Sequence, residues 1–209
     1  MEALLIYDES SFDGDQIRDL SGKGNHGNWD SVVVEVVPNT QDRAVANMFL
    51  EFGGEIEILK SDGRRRVLQP REIPLGDFYL TEVKLLSNAD FNDGHLEKLR
   101  GLRRLEAIYL SGSSITDEGM AVLQSLETLR QVGVGNSAIT NRGVAMLEDL
   151  PRLSFLNVGN TKITDEVFHS TSRMKNLRQF HVPATPGLSE DAVMEFKAAN
   201  PECQVKHSR

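Results

Sequence analysis

The sequence predicts an α/β solenoid, a stack of similar strand-and-helix coils, and three observations carry that prediction. First, a short text returns at a fixed interval: "ITDEG" from Ile115, "ITNRG" from Ile139 and "ITDEV" from Ile163 stand 24 residues apart. Second, each copy is preceded by the same formula, L-x-x-φ-x-φ with φ apolar, as "LEAIYL", "LRQVGV", "LSFLNV" and "LRQFHV". The final alternation of that formula fits a strand with one buried face. Third, Met120, Leu123 and Leu126 recur every three residues after the first "ITDEG", which gives one apolar stripe on a short helix. A single strand–turn–helix–turn coil cannot bury both its stripe and its strand face. The copies must therefore stack, strand beside strand and helix beside helix.

The register extends beyond the three clearest copies. One period before Ile115 stands Phe91, and one period after Ile163 falls a residue short of Leu188. Asp93, Asp117, Asn141 and Asp165 share one column; Leu99, Leu123 and Leu147 share another; Leu102, Leu126, Leu150 and Met174 a third. Four copies are in register and a fifth carries a one-residue insertion, so about five coils are expected. Asp117, or Thr116 just before it, is placed to cap the helix by accepting from free backbone N–H groups.

This pattern resembles that of leucine-rich repeat proteins, specifically the ribonuclease-inhibitor-like class whose helical side reads "ITDxG-φ-xx-φ", in arrays of bacterial type. The resemblance covers roughly residues 78 to 205. It implies parallel strands on a concave face, helices outside them, and recognition of a protein or peptide on the strands.

Around the array the chain divides as follows. Residues 1–39 read as a β-rich extension in which "SVVVEVVP" pairs with "LLIY" or with the later hairpin, because an unpaired valine-rich strand invites aggregation. Within it, residues 12–29, "FDGDQIRDLSGKGNHGNW", resemble the opening of laminin-G-like, concanavalin-type jelly rolls. Residues 40–77 read as an N-terminal cap. Its helix has Val45, Met48, Phe49 and Phe52 at helical spacing, Thr40 as N-cap and Gly53-Gly54 as stop. Its hairpin, "EIEILKSDGRRRVLQ", turns at Asp62-Gly63, with Arg64, Arg65 and Arg66 expected opposite Glu55 and Glu57 as ion pairs. In the array, 78–205, strict register would bury Lys84. Val83 and Leu85 are the natural inward pair, which predicts a one-residue slip before Phe91. Ser189 to Ala199 reads as a terminal helix, "NPECQV" as a closing strand with Cys203 buried, and 206–209 as a tail.

Composition narrows the function. The chain has 209 residues and a net charge of −8. A general attraction to nucleic acid or anionic lipid is not expected, since both need a basic surface. A single cysteine supports neither an intramolecular disulfide nor a multi-cysteine metal site. "ALLIY" is too short for a signal peptide and no run approaches a membrane span, so a cytoplasmic location is expected. Asp8, Asp13, Asp15 and Asp19 fail the EF-hand test: with Gly14 at the sixth position, Ile17 and Leu20 occupy ligand positions. The five histidines lack metal-site spacing, and no phosphate-binding loop or nucleophile motif is present. No cofactor, metal or catalytic residue is expected.

What remains is the strand surface. Residues flanking the buried φ positions form columns with a spacing of about 4.8 Å between coils. One column reads Tyr109, Gly133, Asn157, His181; the next reads Ala107, Gln131, Phe155, Gln179; a third reads Ser111, Gly135, Gly159, Pro183. Tyr109, Gln131, Phe155, Asn157, Gln179 and His181 are the candidate partner-binding residues, because aromatic anchors on such a face often dominate binding. The expected function is a non-enzymatic protein- or peptide-binding scaffold. Two alternatives stay open: a carbohydrate- or calcium-associated module built on residues 1–39, and a structural spacer of a larger protein.

Overall fold

The computed structural model describes residues 12–13, 16–17, 40–60, 63, 65–68, 73 and 78–208. The chain divides into two units, Met1–Thr40 and Gln41–Arg209. In the first, β1 (Phe12–Asp13) pairs antiparallel with β2 (Gln16–Ile17). The expected strands at "LLIY" and "SVVVEVVP" and the rest of the jelly-roll-like text lie outside the described residues.

The second unit is built on one eight-stranded sheet. Its elements are α1 (Thr40–Glu51), β3 (Glu55–Lys60), β4 (Arg65–Leu68), β5 (Phe78–Lys84), α2 (Asp93–Leu96) with a following 3-10 turn, β6 (Ala107–Tyr109), α3 (Asp117–Leu123), β7 (Gln131–Gly133), α4 (Asn141–Ala145), β8 (Phe155–Asn157), α5 (Val167–Thr171), β9 (Gln179–His181), α6 (Glu190–Ala199) and β10 (Gln204–Lys206). The spatial order is β10-β9-β8-β7-β6-β5-β3-β4. From β5 to β10 all neighbours are parallel, while β3 lies antiparallel to both β5 and β4. Each parallel strand from β5 to β9 is followed by a helix, and β10 closes the row.

The period is visible in the interior. Ile108, Val132, Leu156 and Phe180 face one another in register and are fully buried. Ile115, Ile139 and Ile163 are 0%, 0% and 1% exposed. They stand in successive coils whose turns are joined by Ala138 N–H to the Ile115 carbonyl and Lys162 N–H to the Ile139 carbonyl. Past each strand the chain turns through a left-handed residue: Ser87, Gly112, Asn136, Asn160 and Ala184 have φ of 57°, 82°, 54°, 49° and 49°. The next hydroxyl ties the turn back to its strand, Ser113 to Leu110 O and Thr161 to Val158 O, each at 2.7 Å.

The predicted slip is present. Val83, not Lys84, pairs with Ile108, and Val83 and Leu85 are buried. The extra residue sits between the left-handed Ser87 and Phe91, and the insertion in the last coil occupies the same turn, between Ala184 and Leu188. Both end coils are thus one residue longer at the same turn.

Aromatic side chains concentrate at the two ends. At the first coil the ring of Phe49 in α1 and that of Phe52 just after it lie 5.2 and 5.5 Å from Phe91, and Phe52 lies 4.8 Å from His95. Phe91 fills the isoleucine column where that column meets the helix rather than another coil. α1 ends as Gly53 and Gly54 donate to Leu50 O and Phe49 O at 3.0 and 2.8 Å. Its buried Asp42 accepts from the Leu80 N–H at 2.5 Å, beside the register shift between β3 and β5. At the other end Phe168, Phe180 and Phe196 form a second cluster, with Phe168 and Phe196 stacked at 4.9 Å.

One pairing differs from the sequence expectation. In the hairpin, Arg65 stands opposite Leu59, Arg66 opposite Ile58, and Val67 opposite Glu57. Glu55 instead makes an ion pair with Lys84 of β5 at 3.4 Å. The register follows burial of Ile56 and Ile58, which decides strand alignment before surface charges do.

Candidate functional site

Because the strands pair at Ala107–Gln131–Phe155–Gln179 and Tyr109–Gly133–Asn157–His181, the two predicted columns lie side by side on one face of the sheet. The slip and the closing strand lengthen them. Glu82 pairs with Ala107 and Lys84 with Tyr109 at the first coil, while Gln204 and Lys206 pair with Gln179 and His181 at the last. These four end residues were missing from the sequence-level site. The signal for the first two was already in the Val83–Leu85 inward pair, which forces Glu82 and Lys84 onto the opposite face.

The structure brings the predicted residues into contact diagonally rather than along a column. Gly133 leaves room for the Tyr109 ring: a β-carbon there would stand 2.8 Å from Tyr109 Cδ1. Across that gap Tyr109 meets Phe155 edge-on, with ring centroids 6.3 Å apart at 66°, and Phe155 meets His181 at 4.8 Å and 75°. The Tyr109 hydroxyl donates to Gln131 Oε1. Asn157 Oδ1 accepts from the Gly159 N–H at 3.1 Å. Tyr109, Gln131, Phe155, Asn157 and His181 are half-buried, and Gln179 is exposed.

Several polar groups in this row are without protein partners. The amide nitrogens of Gln131 and Asn157, and the whole Gln179 amide, make no hydrogen bond among the described residues. His181 Nε2 is buried and also lacks a partner. A buried unsatisfied polar atom costs about 1–3 kcal/mol, so this nitrogen is held there by its neighbours and not by its own bonding. Burial, and secondarily Lys206, pull the His181 pKa below its ordinary value, which keeps the imidazole neutral at pH 7. Burial, and secondarily Glu82, push the Tyr109 hydroxyl above the usual phenol range. Cys203, just before β10, is buried, and that burial raises its thiol pKa against a smaller opposing effect of Arg178.

The turn on the helix side is arranged differently. Thr116 and Thr140 cap α3 and α4, accepting from Glu118 and Arg142 N–H groups. The residue that follows this turn position in each coil, after Asn92, Thr116, Thr140 and Thr164, reaches the next coil instead of its own helix. Asp93 accepts from Thr116 N and Oγ1 at 2.9 and 2.7 Å, Asp117 from Thr140 at 2.9 and 2.6 Å, and Asp165 from Ser189 N and Oγ at 2.7 and 2.8 Å. The glycine of "ITDxG" makes room for it. A β-carbon at Gly119 or Gly143 would run into the Asp93 or Asp117 carboxylate of the preceding coil. Asn141 performs the same task with one bond reversed, accepting from Thr164 N at 3.0 Å and donating to Thr164 Oγ1 at 2.7 Å. In that coil Val167 replaces the glycine, and α5 begins at Val167 without a side-chain cap.

Elsewhere, a groove of about 570 Å³ between α5 and α6 is floored by Phe168 and Phe196. Among the described residues no group of three His, Cys, Asp or Glu side chains could hold a metal ion. No described helix is long and apolar enough to cross a membrane.

Successive 24-residue coils, with a strand on the inner face and a helix outside, define the architecture. It is a leucine-rich repeat solenoid. No family model matches the chain, and no curated protein is similar in sequence. Solved structures of this fold are similar. An internalin from Listeria monocytogenes shares 18% identity over 53% of this chain and 30% of its own, with a TM-score of 0.45. The leucine-rich repeat ectodomain of the Arabidopsis thaliana receptor kinase SOBIR1 shares 13% over 82% and 93%, with a TM-score of 0.46. The Arabidopsis receptor kinase HAESA ectodomain, solved with a peptide hormone ligand, shares 16% over 54% and 19%, with a TM-score of 0.40. The chain therefore spans less than a third of the internalin and less than a fifth of the HAESA ectodomain.

Proposed function

We propose that this chain is a non-enzymatic scaffold that binds a protein or peptide on the strand face of its solenoid. Tyr109, Gln131, Phe155, Asn157, Gln179 and His181 make the contacts. One observation carries the reading: two aromatic rings and an imidazole run diagonally across the four coils from β6 to β9, bordered by amide nitrogens that make no hydrogen bond among the described residues. Rings give large, stiff contact area, and unbonded amide nitrogens give hydrogen bonds whose formation loses no existing partner. Residues 40–77 serve as the N-terminal cap of the array, supported by the Phe49 and Phe52 contacts to Phe91. The helix outside each coil supports placing the repeats in the ribonuclease-inhibitor-like class. The carbohydrate and calcium alternative rests on residues outside those described.

The test is affinity capture from the native host with the unaltered chain and with Tyr109→Ala/Phe155→Ala. Proteins retained by the unaltered chain should be lost from the double variant, with its thermal unfolding little changed. Equal retention by both would place recognition elsewhere.

A further inference from the structure

The three columns of the strand face contain no Asp, Glu, Lys or Arg from β6 to β9, in a chain that is 26% charged. Charges stand instead around that area: Glu82 and Lys84 at one end, Lys206 at the other, and Glu106, Arg130 and Arg178 at the edge where the strands begin. Building on the peptide-binding reading above, we propose that the centre of this face selects an uncharged segment of extended polypeptide, about four residues long, with one apolar side chain lodged against Phe155. Three inter-strand steps of about 4.8 Å span roughly the length of four extended residues.

Three features support this choice of occupant. An uncharged centre with a charged border is how a binding face desolvates its middle while keeping its rim wet, and a partner charge placed there would lose hydration without gaining a counter-ion. Among the described residues the Gln131 and Asn157 amide nitrogens are unbonded and match backbone C=O groups, and the whole Gln179 amide matches both C=O and N–H, groups that every extended segment presents whatever its side chains. The rings meet edge to face at 66° and 75°, so they form clefts between tilted planes rather than a flat platform. Clefts suit an aliphatic or aromatic side chain; a sugar ring stacks on an open aromatic face. The neutral His181 fits the same uncharged area.

The test uses the full chain and a random linear peptide library displayed on phage, with a glycan array run in parallel. Synthetic versions of enriched peptides are then titrated against the unaltered protein and against Phe155→Ala, Tyr109→Ala, Gln131→Glu and Gln131→Lys, each checked for folding by circular dichroism. The expected result is a shared uncharged run of about four residues and a loss of at least about tenfold with Phe155→Ala or Tyr109→Ala. Gln131→Glu and Gln131→Lys should both weaken binding, because either sign of charge must be desolvated. Peptides that bind through the two rings but carry charged residues in the run, with the two Gln131 variants moving affinity in opposite directions, overturn charge exclusion and leave the peptide reading standing. Peptides indifferent to both ring variants, no enrichment at all, or glycan binding in place of peptide binding overturn both.

Discussion

The turn before each helix and the strand face have the same 24-residue period, yet they use it differently. In the turn, one column is Thr116, Thr140, Thr164 and Ser189, and its partner is Asp93, Asp117, Asn141 and Asp165; each member is bonded to the next coil. On the strand face the column Ala107, Gln131, Phe155, Gln179 shares no chemistry from coil to coil. The difference teaches where repetition is a physical requirement. A residue whose partner belongs to the adjoining column of the neighbouring coil must keep its bonding chemistry. A residue that faces outward is free to vary, and its variation is what gives the face a specific shape.

The sharpest break of this comparison lies beneath both regions. Ile139 is fully buried between the coils of Ile115 and Ile163. Ile139→Ala should cost about 2–5 kcal/mol in chemical denaturation, the range for truncating a buried aliphatic side chain. A loss below about 1 kcal/mol would mean that the coils do not share one interior.

The next effect belongs to the turn. Asp117→Ala removes the acceptor for both the N–H and the hydroxyl of Thr140 and should destabilise by about 1–3 kcal/mol. Asp117→Asn should cost clearly less, because Asn141 already does this task one coil later. Gly143→Ala should be destabilising as well, by about 1–3 kcal/mol, since the added carbon collides with Asp117 and the crowding outweighs the better helix propensity of alanine. On the strand face, Phe155→Ala should change stability less than any of these while removing binding. If Asp117→Ala and Phe155→Ala proved equally mild, bonding to the next coil would not be what keeps the turn uniform.

The sequence showed the part of the fold that repeats. The coil, its strand, the inward isoleucines and even the slip at Val83 follow from spacing, because a one-residue error would bury Lys84. The helix α1 was legible as Val45, Met48 and Phe49 at helical spacing, but the Asp42 bond to Leu80 was not: it depends on a register shift between β3 and β5 that no local pattern announces. The hairpin arginines were set in the wrong register because charge pairing was weighed where burial of Ile56 and Ile58 decides. At the candidate site the columns were readable, whereas the diagonal row was not. It exists because Gly133 lets Tyr109 lean toward a ring two strands away, and its role appears only when the strands are laid side by side.

The smallest expected effect is a pH dependence that belongs to the strand face. His181 on the strand face has its pKa lowered, first by burial and then by Lys206. Unfolded, the imidazole takes its proton near pH 6.5; folded, it resists until lower pH. Between those two values the unfolded chain binds more protons than the folded one, so stability is fully present above about pH 6.5 and declines as pH falls through the folded pKa. The denaturation midpoint of the unaltered chain should therefore drop more between about pH 7 and pH 5 than that of His181→Gln, while the other histidines and all carboxylates cancel in the difference. Lys206→Gln should recover a minor part of that drop, in keeping with its secondary rank. Parallel pH profiles for the unaltered chain and His181→Gln would show that the imidazole is not held neutral by its place beside Phe155, and would remove it from the uncharged centre of the face.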